Sequence, residues 1–305
     1  MNTWKHYYLA HSIEDALGAL RSSTGPARPI AGGTDYLLEL QQGQHPPVDT
    51  LVDVTAIPEL TCLEVRGGEL FIGAGVPVSQ VTGSPLVCKH AQAVAEACGL
   101  IGGPQVRNTA TLGGNVAHAL PAADGMIGLV ALDAQVEVAS MDDSGAIQPS
   151  RRPILSLFAG PGESTLLPGR EILVGFYLPN CKPGQASAFA RVMRPQGVAL
   201  PVLNLAIWLA REGDRIADIR IAAGPAGPTP RRATEVENCL SGVRFNTVLL
   251  TQAVMLLEQT TRFRTSPRRA TAEYRRHLVG ALFENVFTTA WERAGLDEYG
   301  RTPHA

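Results

Sequence analysis

Apolar and polar positions recur along this chain in short blocks, and their period changes from block to block. Ile13, Ala16, Leu17 and Leu20 share one helical face behind Ser12, a residue suited to cap a helix N-terminus. Residues 28–31 then read as a short strand, residues 36–40 as a helix and residues 51–54 as another strand. Residues 62–73 alternate on either side of Gly67-Gly68, the pattern of a hairpin. Ser84-Pro85 opens a helix expected to run to about Cys98, with Gly99 behind it. An apolar helical stretch follows Asp124 as far as Leu132. It is followed by an alternating strand at 135–139, a turn at 142–145 and a strand at 170–179.

A polar segment with Pro and Gly, residues 180–185, interrupts the pattern and marks a boundary. Beyond it, residues 187–192, 203–210 and 216–222 alternate as three consecutive strands, the last two joined by a turn at 212–214. Residues 233–240 read as a short helix closed by Gly242, and residues 247–262 and about 269–294 as long amphipathic helices. A small antiparallel sheet followed by helices makes this second part a compact α+β unit.

Composition narrows the classes. The 305 residues suffice for one large domain or two ordinary ones, and 45% hydrophobic with 18% charged is a globular balance. A net charge of −2 argues against nucleic acid or an anionic membrane as the main partner. The densest basic run, Arg262, Arg264, Arg268, Arg269, Arg275 and Arg276, reads as a solvated or subunit-facing side of helices. Five cysteines without a C-x-x-C pair predict reduced, mostly buried thiols in a cytoplasmic protein, and no iron–sulfur or zinc site of usual spacing. The N-terminus lacks the plan of a signal peptide, and no apolar run is long enough to span a membrane.

Two glycine pairs carry the candidate chemistry. Pro29-Ile30-Ala31-Gly32-Gly33-Thr34-Asp35 joins a predicted strand to a predicted helix, and Thr109-Ala110-Thr111-Leu112-Gly113-Gly114-Asn115 precedes the apolar helix at 124. Each pair, followed by Thr or Asn, can present backbone N–H groups with no side chain in the way, as a diphosphate cradle requires. Gly73-Ala74-Gly75 lacks the third glycine of a Rossmann fingerprint, because Val78 stands there. Two loops without that fingerprint point to the diphosphate of FAD. Asp35 and Asp124 each stand where they can also cap the following helix. Arg107 reads as a salt-bridge residue, a holder of the loop or a subunit contact, and His118 as a structural or surface histidine. No G-x-S-x-G, G-x-x-x-x-G-K-[ST] or H-E-x-x-H occurs, so nothing suggests hydrolytic catalysis.

In order, A-G-G-T-D at 31–35, Q-V-R-N-x-x-T-L-G-G-N at 105–115 and P-A-A-D at 121–124 resemble the FAD-binding medium subunit of the molybdenum hydroxylases. That group includes bacterial xanthine dehydrogenase, carbon monoxide dehydrogenase and 4-hydroxybenzoyl-CoA reductase. Residues 169–173, 189–194, 228–232, 266–268 and 274–275 continue the resemblance to the C-terminal end. Family members often carry Arg-Arg where Arg194-Pro195 stands and a small residue where Leu120 stands.

The resemblance implies an α+β, two-lobed FAD-binding fold of the vanillyl-alcohol-oxidase (PCMH) type over residues 1–179. A small antiparallel sheet plus helices would form a flavoprotein C-terminal domain over 184–295. Pro29, Ile30, Ala31, Gly32, Gly33, Thr34, Asp35 and Tyr36, with Thr111, Leu112, Gly113, Gly114 and Asn115, would wrap the diphosphate and ribityl of FAD. Ile101 would meet the flavin end through its backbone, Asp124 would bind the sugar–adenine side, and Leu173 would pack near the ring system. Arg191 would contact FAD where the family commonly has Lys. No residue of this chain would act as a catalytic acid or base, and none would bind metal. Expected partners are a small subunit with 2Fe–2S clusters and a large molybdopterin subunit, in a dimer of heterotrimers that passes electrons through FAD to NAD+ or another acceptor. The alternative is a self-contained FAD-dependent oxidoreductase with its own organic substrate.

Overall fold

Three layers of secondary structure position the glycine stretches. In the computed structural model, which describes residues 3–194, 200–267 and 269–296, the first layer comprises β1 (Trp4–Leu9), α1 (Ile13–Ser22), β2 (Ala27–Ile30), α2 (Tyr36–Gln41) and β3 (Val48–Asp53). Its strands form a parallel sheet in the order β1-β3-β2. α1 begins where the pattern placed it, because Ser12 Oγ accepts the Asp15 N–H at 3.0 Å. β1 was not legible in the sequence: it is an edge strand whose WKHYYL side chains are mostly exposed, so it carries no alternating apolar signal.

The second layer contains α3 (Pro58–Thr61), the hairpin β4 (Leu63–Arg66) and β5 (Glu69–Gly73), and helices α4 (Val78–Gly83), α5 (Pro85–His90), α6 (Gln92–Gly99), α7 (Pro104–Thr109), α8 (Leu112–Ala117) and α9 (Asp124–Ala131). After the helices come β6 (Gln135–Met141), β7 (Ile147–Pro153), a small hairpin of β8 (Phe158–Gly160) and β9 (Glu163–Ser164), and β10 (Glu171–Pro179). The five-stranded sheet runs β4-β5-β10-β6-β7. Leu70, Ile72, Val136 and Val138 face the helices, whereas Phe71, Ala139 and Ile172 face α1 and the first layer. A bulge between Leu173 and Gly175 reverses the alternation of β10, so Leu173 and Phe176 both face the helices.

The single helix expected from residue 85 to 98 is broken at Ala91, whose φ of −145° lies outside helical space; α5 and α6 stand on either side. β7 was also unforeseen. It is an edge strand carrying Pro149 and Pro153, tolerated there because an edge leaves half its N–H groups unpaired.

The third layer is an antiparallel sheet of β11 (Gln185–Val192), β12 (Leu203–Glu212), β13 (Arg215–Gly224) and β14 (Arg231–Arg232). α10 (Thr234–Leu240), β15 (Val243–Arg244), which pairs with β13, α11 (Thr247–Thr260) and α12 (Ala272–Ala294) follow. Period-two alternation sorts β12: Leu203, Leu205, Ile207 and Leu209 pack in the core shared with α10–α12, while Ala206 packs toward α6 and α9. The edge strand β11 is tied to α6, since the Ala93 N–H donates to Ser187 Oγ at 3.0 Å and the Phe189 N–H donates to Glu96 at 2.9 Å. Arg293 of α12 completes this seam with a 2.6 Å bond to Glu96.

The basic run is corrected at one residue. Arg275 is not solvated but 1% exposed; it donates to the carbonyls of Val202, at 2.7 Å, and Arg264. Burial among carbonyls pushes its guanidinium down from its ordinary range. Arg268 and Pro195 lie outside the described residues. The cysteines are free, but only Cys98 is fully buried; the other four are partly exposed. No described helix is long and apolar enough to cross a membrane. Because Arg275→Met would orphan the buried Val202 carbonyl and free the part-buried Arg264 one, it should lower the free energy of unfolding by roughly 1–3 kcal/mol, read as a fall in urea midpoint with unchanged slope.

Candidate functional site

β2 delivers the first glycine pair. Pro29 and Ile30 end the strand, with Ile30 buried against Val48 and Leu51, and Ala31 packs on the core beneath α1. Gly33 turns the chain at φ +65°, a left-handed conformation that favours glycine. The N–H groups of Gly32, Gly33, Thr34, Asp35 and Tyr36 meet no acceptor among the described residues. Five consecutive free donors at a helix start are what an anion cradle requires. Asp35 occupies the N-cap position without capping through its side chain, so the capping role is not realised. The Tyr36 hydroxyl is buried without a partner, and its ring lies 4.6 Å beneath the Arg28 guanidinium.

The second pair is built differently from the expected open loop. Thr111 caps the short helix α8, its Oγ1 accepting the Gly114 N–H at 3.0 Å. The Leu112 N–H donates to the Val76 carbonyl at 3.2 Å, the Gly113 N–H to Ala74 at 2.9 Å and the Asn115 N–H to Thr111 at 3.0 Å. These donors are therefore engaged within the chain. Gly113 is needed for close approach instead, because a Cβ there would lie 2.5 Å from the Ala74 carbonyl oxygen. Gly114 is exposed, and its added Cβ would meet only Thr111 Oγ1 at 3.2 Å. Asn115 Oδ1 accepts the Met126 N–H at 3.2 Å, which joins α8 to α9.

The two stretches meet. A Cβ on Gly32 would lie 2.1 Å from the Thr109 carbonyl oxygen, so only glycine lets the first loop rest on the backbone ahead of the second. His118, expected to be a structural or surface histidine, links α8 to α2: its Nε2 lies 2.9 Å from Glu39 and its Nδ1 3.8 Å from Asp35. Burial pushes the Glu39 carboxyl up, but the hydrogen bonds and charges of His118 and His45 outweigh it and hold it below the ordinary glutamate value. Arg107 holds the intervening turn by donating to the carbonyls of Ile101, at 3.2 Å, and Gly102, at 2.7 Å.

Asp124 and Arg191 are brought together, and to each other. The Arg191 guanidinium donates to the Asp124 carboxylate, and Asn204 Nδ2 donates to the same carboxylate at 2.7 Å. Arg191 and Asn204 are opposite one another on β11 and β12, and both face the start of α9. Asp124 stands at the first turn of that helix, with Ala123 at the cap position. Burial pushes its carboxyl up, against the pull of Arg191 and Asn204. Arg191 Nε and Asn204 Oδ1 are buried without partners. Sequence reasoning missed Asn204 because a lone Asn inside an apolar strand carries no motif. Leu173 lies in the main core, 8% exposed, beside the helices that carry the second stretch.

Free N–H groups in a row, on a turn that only glycine lets rest against the Thr109 backbone, fit the diphosphate of a dinucleotide. A cleft of about 500 Å3 on the five-stranded sheet, lined by Arg66, Glu69, Glu137, Arg151 and Tyr177 among others, includes no residue of either glycine stretch. Among the described residues no group of three or more His, Cys, Asp or Glu is arranged to hold a metal ion.

Comparison with known proteins defines the class. Residues 2–181 match the FAD binding domain in molybdopterin dehydrogenase, and residues 187–290 match the CO dehydrogenase flavoprotein C-terminal domain. The nicotine 6-hydroxylase medium subunit of Paenarthrobacter nicotinovorans is 32% identical over 283 residues, covering 92% of this chain and 95% of that one. The xanthine dehydrogenase FAD-binding subunit of Escherichia coli O157:H7 is 28% identical over 294 residues, covering 95% and 97%. The carbon monoxide dehydrogenase of Hydrogenophaga pseudoflava, solved without the Mo-pyranopterin moiety, superposes with a TM-score of 0.86 at 25% identity, covering 95% of this chain and 98% of that one. The chain belongs to the FAD-binding medium subunits of the xanthine dehydrogenase and CO dehydrogenase family. It is thus a flavoprotein subunit of that family of oxidoreductases.

Two outcomes follow from the geometry. Gly113→Ala should cost roughly 1–3 kcal/mol by driving a methyl group into the Ala74 backbone, whereas Gly114→Ala should change stability by less than about 1 kcal/mol, both read by thermal melting. The lowered Glu39 carboxyl contributes stability above the ordinary glutamate range and loses it as pH falls through the lowered value. The difference in melting temperature between wild type and Glu39→Gln should therefore shrink as pH is taken from about 6 to about 3.

Proposed function

We propose that this chain is the FAD-carrying subunit of a molybdenum hydroxylase complex. It would receive electrons from 2Fe–2S clusters of a small subunit, fed by a molybdopterin subunit that acts on the substrate, and deliver them to NAD+ or another acceptor. The observation that carries the reading is the run of five unpartnered N–H groups at Gly32–Tyr36, resting on the backbone of the second glycine stretch. Bound FAD supplies reversible one- and two-electron chemistry.

The chain's own residues bind, orient and exclude water. Residues 32–36 would hold the diphosphate through backbone donors, with Pro29, Ile30 and Ala31 setting the entry of the loop. Thr111, Leu112, Gly113, Gly114 and Asn115 would form the opposing wall, and the exposed Gly114 would leave its mouth clear. Ile101, in the turn fixed by Arg107, would meet the flavin end; Leu173 would back the ring system. Asp124 and Arg191, already paired across the seam between the helices and the third layer, would present that seam to the sugar–adenine side. We assign residues 1–179 to the cofactor domain and 184–295 to the C-terminal domain. Several relatives are named as medium subunits or chains, which supports an assembly with small and large partners, for which we propose a dimer of heterotrimers.

The purified full-length chain should be yellow, release flavin on denaturation and contain no iron. A colourless protein that takes up no added FAD would overturn the reading. Gly114→Glu should abolish FAD uptake while leaving the circular dichroism spectrum unchanged, because its Cβ nearly fits while its carboxylate fills the cradle; undiminished uptake would remove the second stretch from the site.

A further inference from the structure

Two carboxylates stand beside the cradle proposed for a diphosphate. Asp35 is part of it, and Glu39 lies one helical turn along α2. A diphosphate brings further negative charge to the same place, and like charges a few ångströms apart disfavour one another. The side chain set between the two carboxylates is His118, which arrives from the end of α8, 79 residues beyond Glu39. It is 24% exposed, with Nε2 at 2.9 Å from Glu39 and Nδ1 at 3.8 Å from Asp35. His45 takes the other Glu39 oxygen at 3.0 Å, and α8 itself contributes no charged residue. Arg28 lies over the Tyr36 ring.

His118 Nε2 is within hydrogen-bond distance of Glu39, whereas Nδ1 stands too far from Asp35 to bond it. The bond ties the end of α8 to α2 at the edge of the cradle and holds the Glu39 carboxylate on the ring. We propose that His118 is a positioning residue for the cofactor: its bond to Glu39 pins the second glycine stretch to α2 and keeps that carboxylate engaged, so that the cradle accepts a diphosphate. This rests on the FAD reading above and deepens it by naming a residue that sets the affinity.

The test uses the full-length apo-protein titrated with FAD and followed by flavin fluorescence. His118→Ala removes the bond to Glu39 and should weaken FAD binding about tenfold, the loss of one hydrogen bond to a charged group. His118→Gln, whose amide can donate to the same carboxylate, should keep most of the affinity. Glu39→Gln in the His118→Ala background should restore part of it by removing the freed carboxylate. Unchanged affinity in His118→Ala, or no recovery in both His118→Gln and the double variant, would overturn the inference while leaving the FAD reading intact. A wild-type chain that binds no FAD would overturn both.

Discussion

A Cβ on Gly32 would stand 2.1 Å from the carbonyl oxygen of Thr109. Backbone rests directly on backbone there, and the candidate site depends on that contact. It sets a strand-to-helix turn of the first layer against the helices of the second, so that free N–H groups from one meet the wall built by the other. The same device recurs beneath it. Gly113 allows α8 to lie on Ala74, whose own N–H donates to the carbonyl of Val174 at 2.9 Å. Close approach without side chains lets short, low-propensity helices hold position, because the hydrogen bonds run between backbones and not through flexible groups.

The two glycine pairs consequently do different work. In the first, the N–H groups are left free for an anion; in the second, they are spent on fixing the fold. A motif reader sees two equal loops. The difference lies in which carbonyls are near, and that is decided by β5, the segment after it and β10, far away in sequence.

The third layer reaches the site by alternation. Because β12 places Leu203, Leu205, Ile207 and Leu209 on the side covered by α10–α12, Asn204 must face the other way, toward α9, where it meets Asp124. The cross-strand neighbour of Asn204 is Arg191, so one register places both donors on one carboxylate. The resulting cluster, with the Glu96–Arg293 bond nearby, makes the seam between the layers partly polar, and its geometry is specific in a way that apolar packing alone is not.

Much was legible from the chain alone. The hairpin at Gly67-Gly68, the strand–glycine–helix unit around residue 32, the three alternating strands and the long C-terminal helices all follow from local period and turn chemistry. So does the family, through motifs that only make sense together. The edge strands β1 and β7 escaped, since exposed strands need no apolar alternation, and α7 and α8 escaped because each is only 6 residues long, too short to show a helical period. The burial of Arg275, the pairing of Asp124 with Arg191 and the bridging place of His118 were decided by tertiary structure. Each depends on groups tens of residues apart being brought within hydrogen-bond reach, and no local pattern encodes that distance.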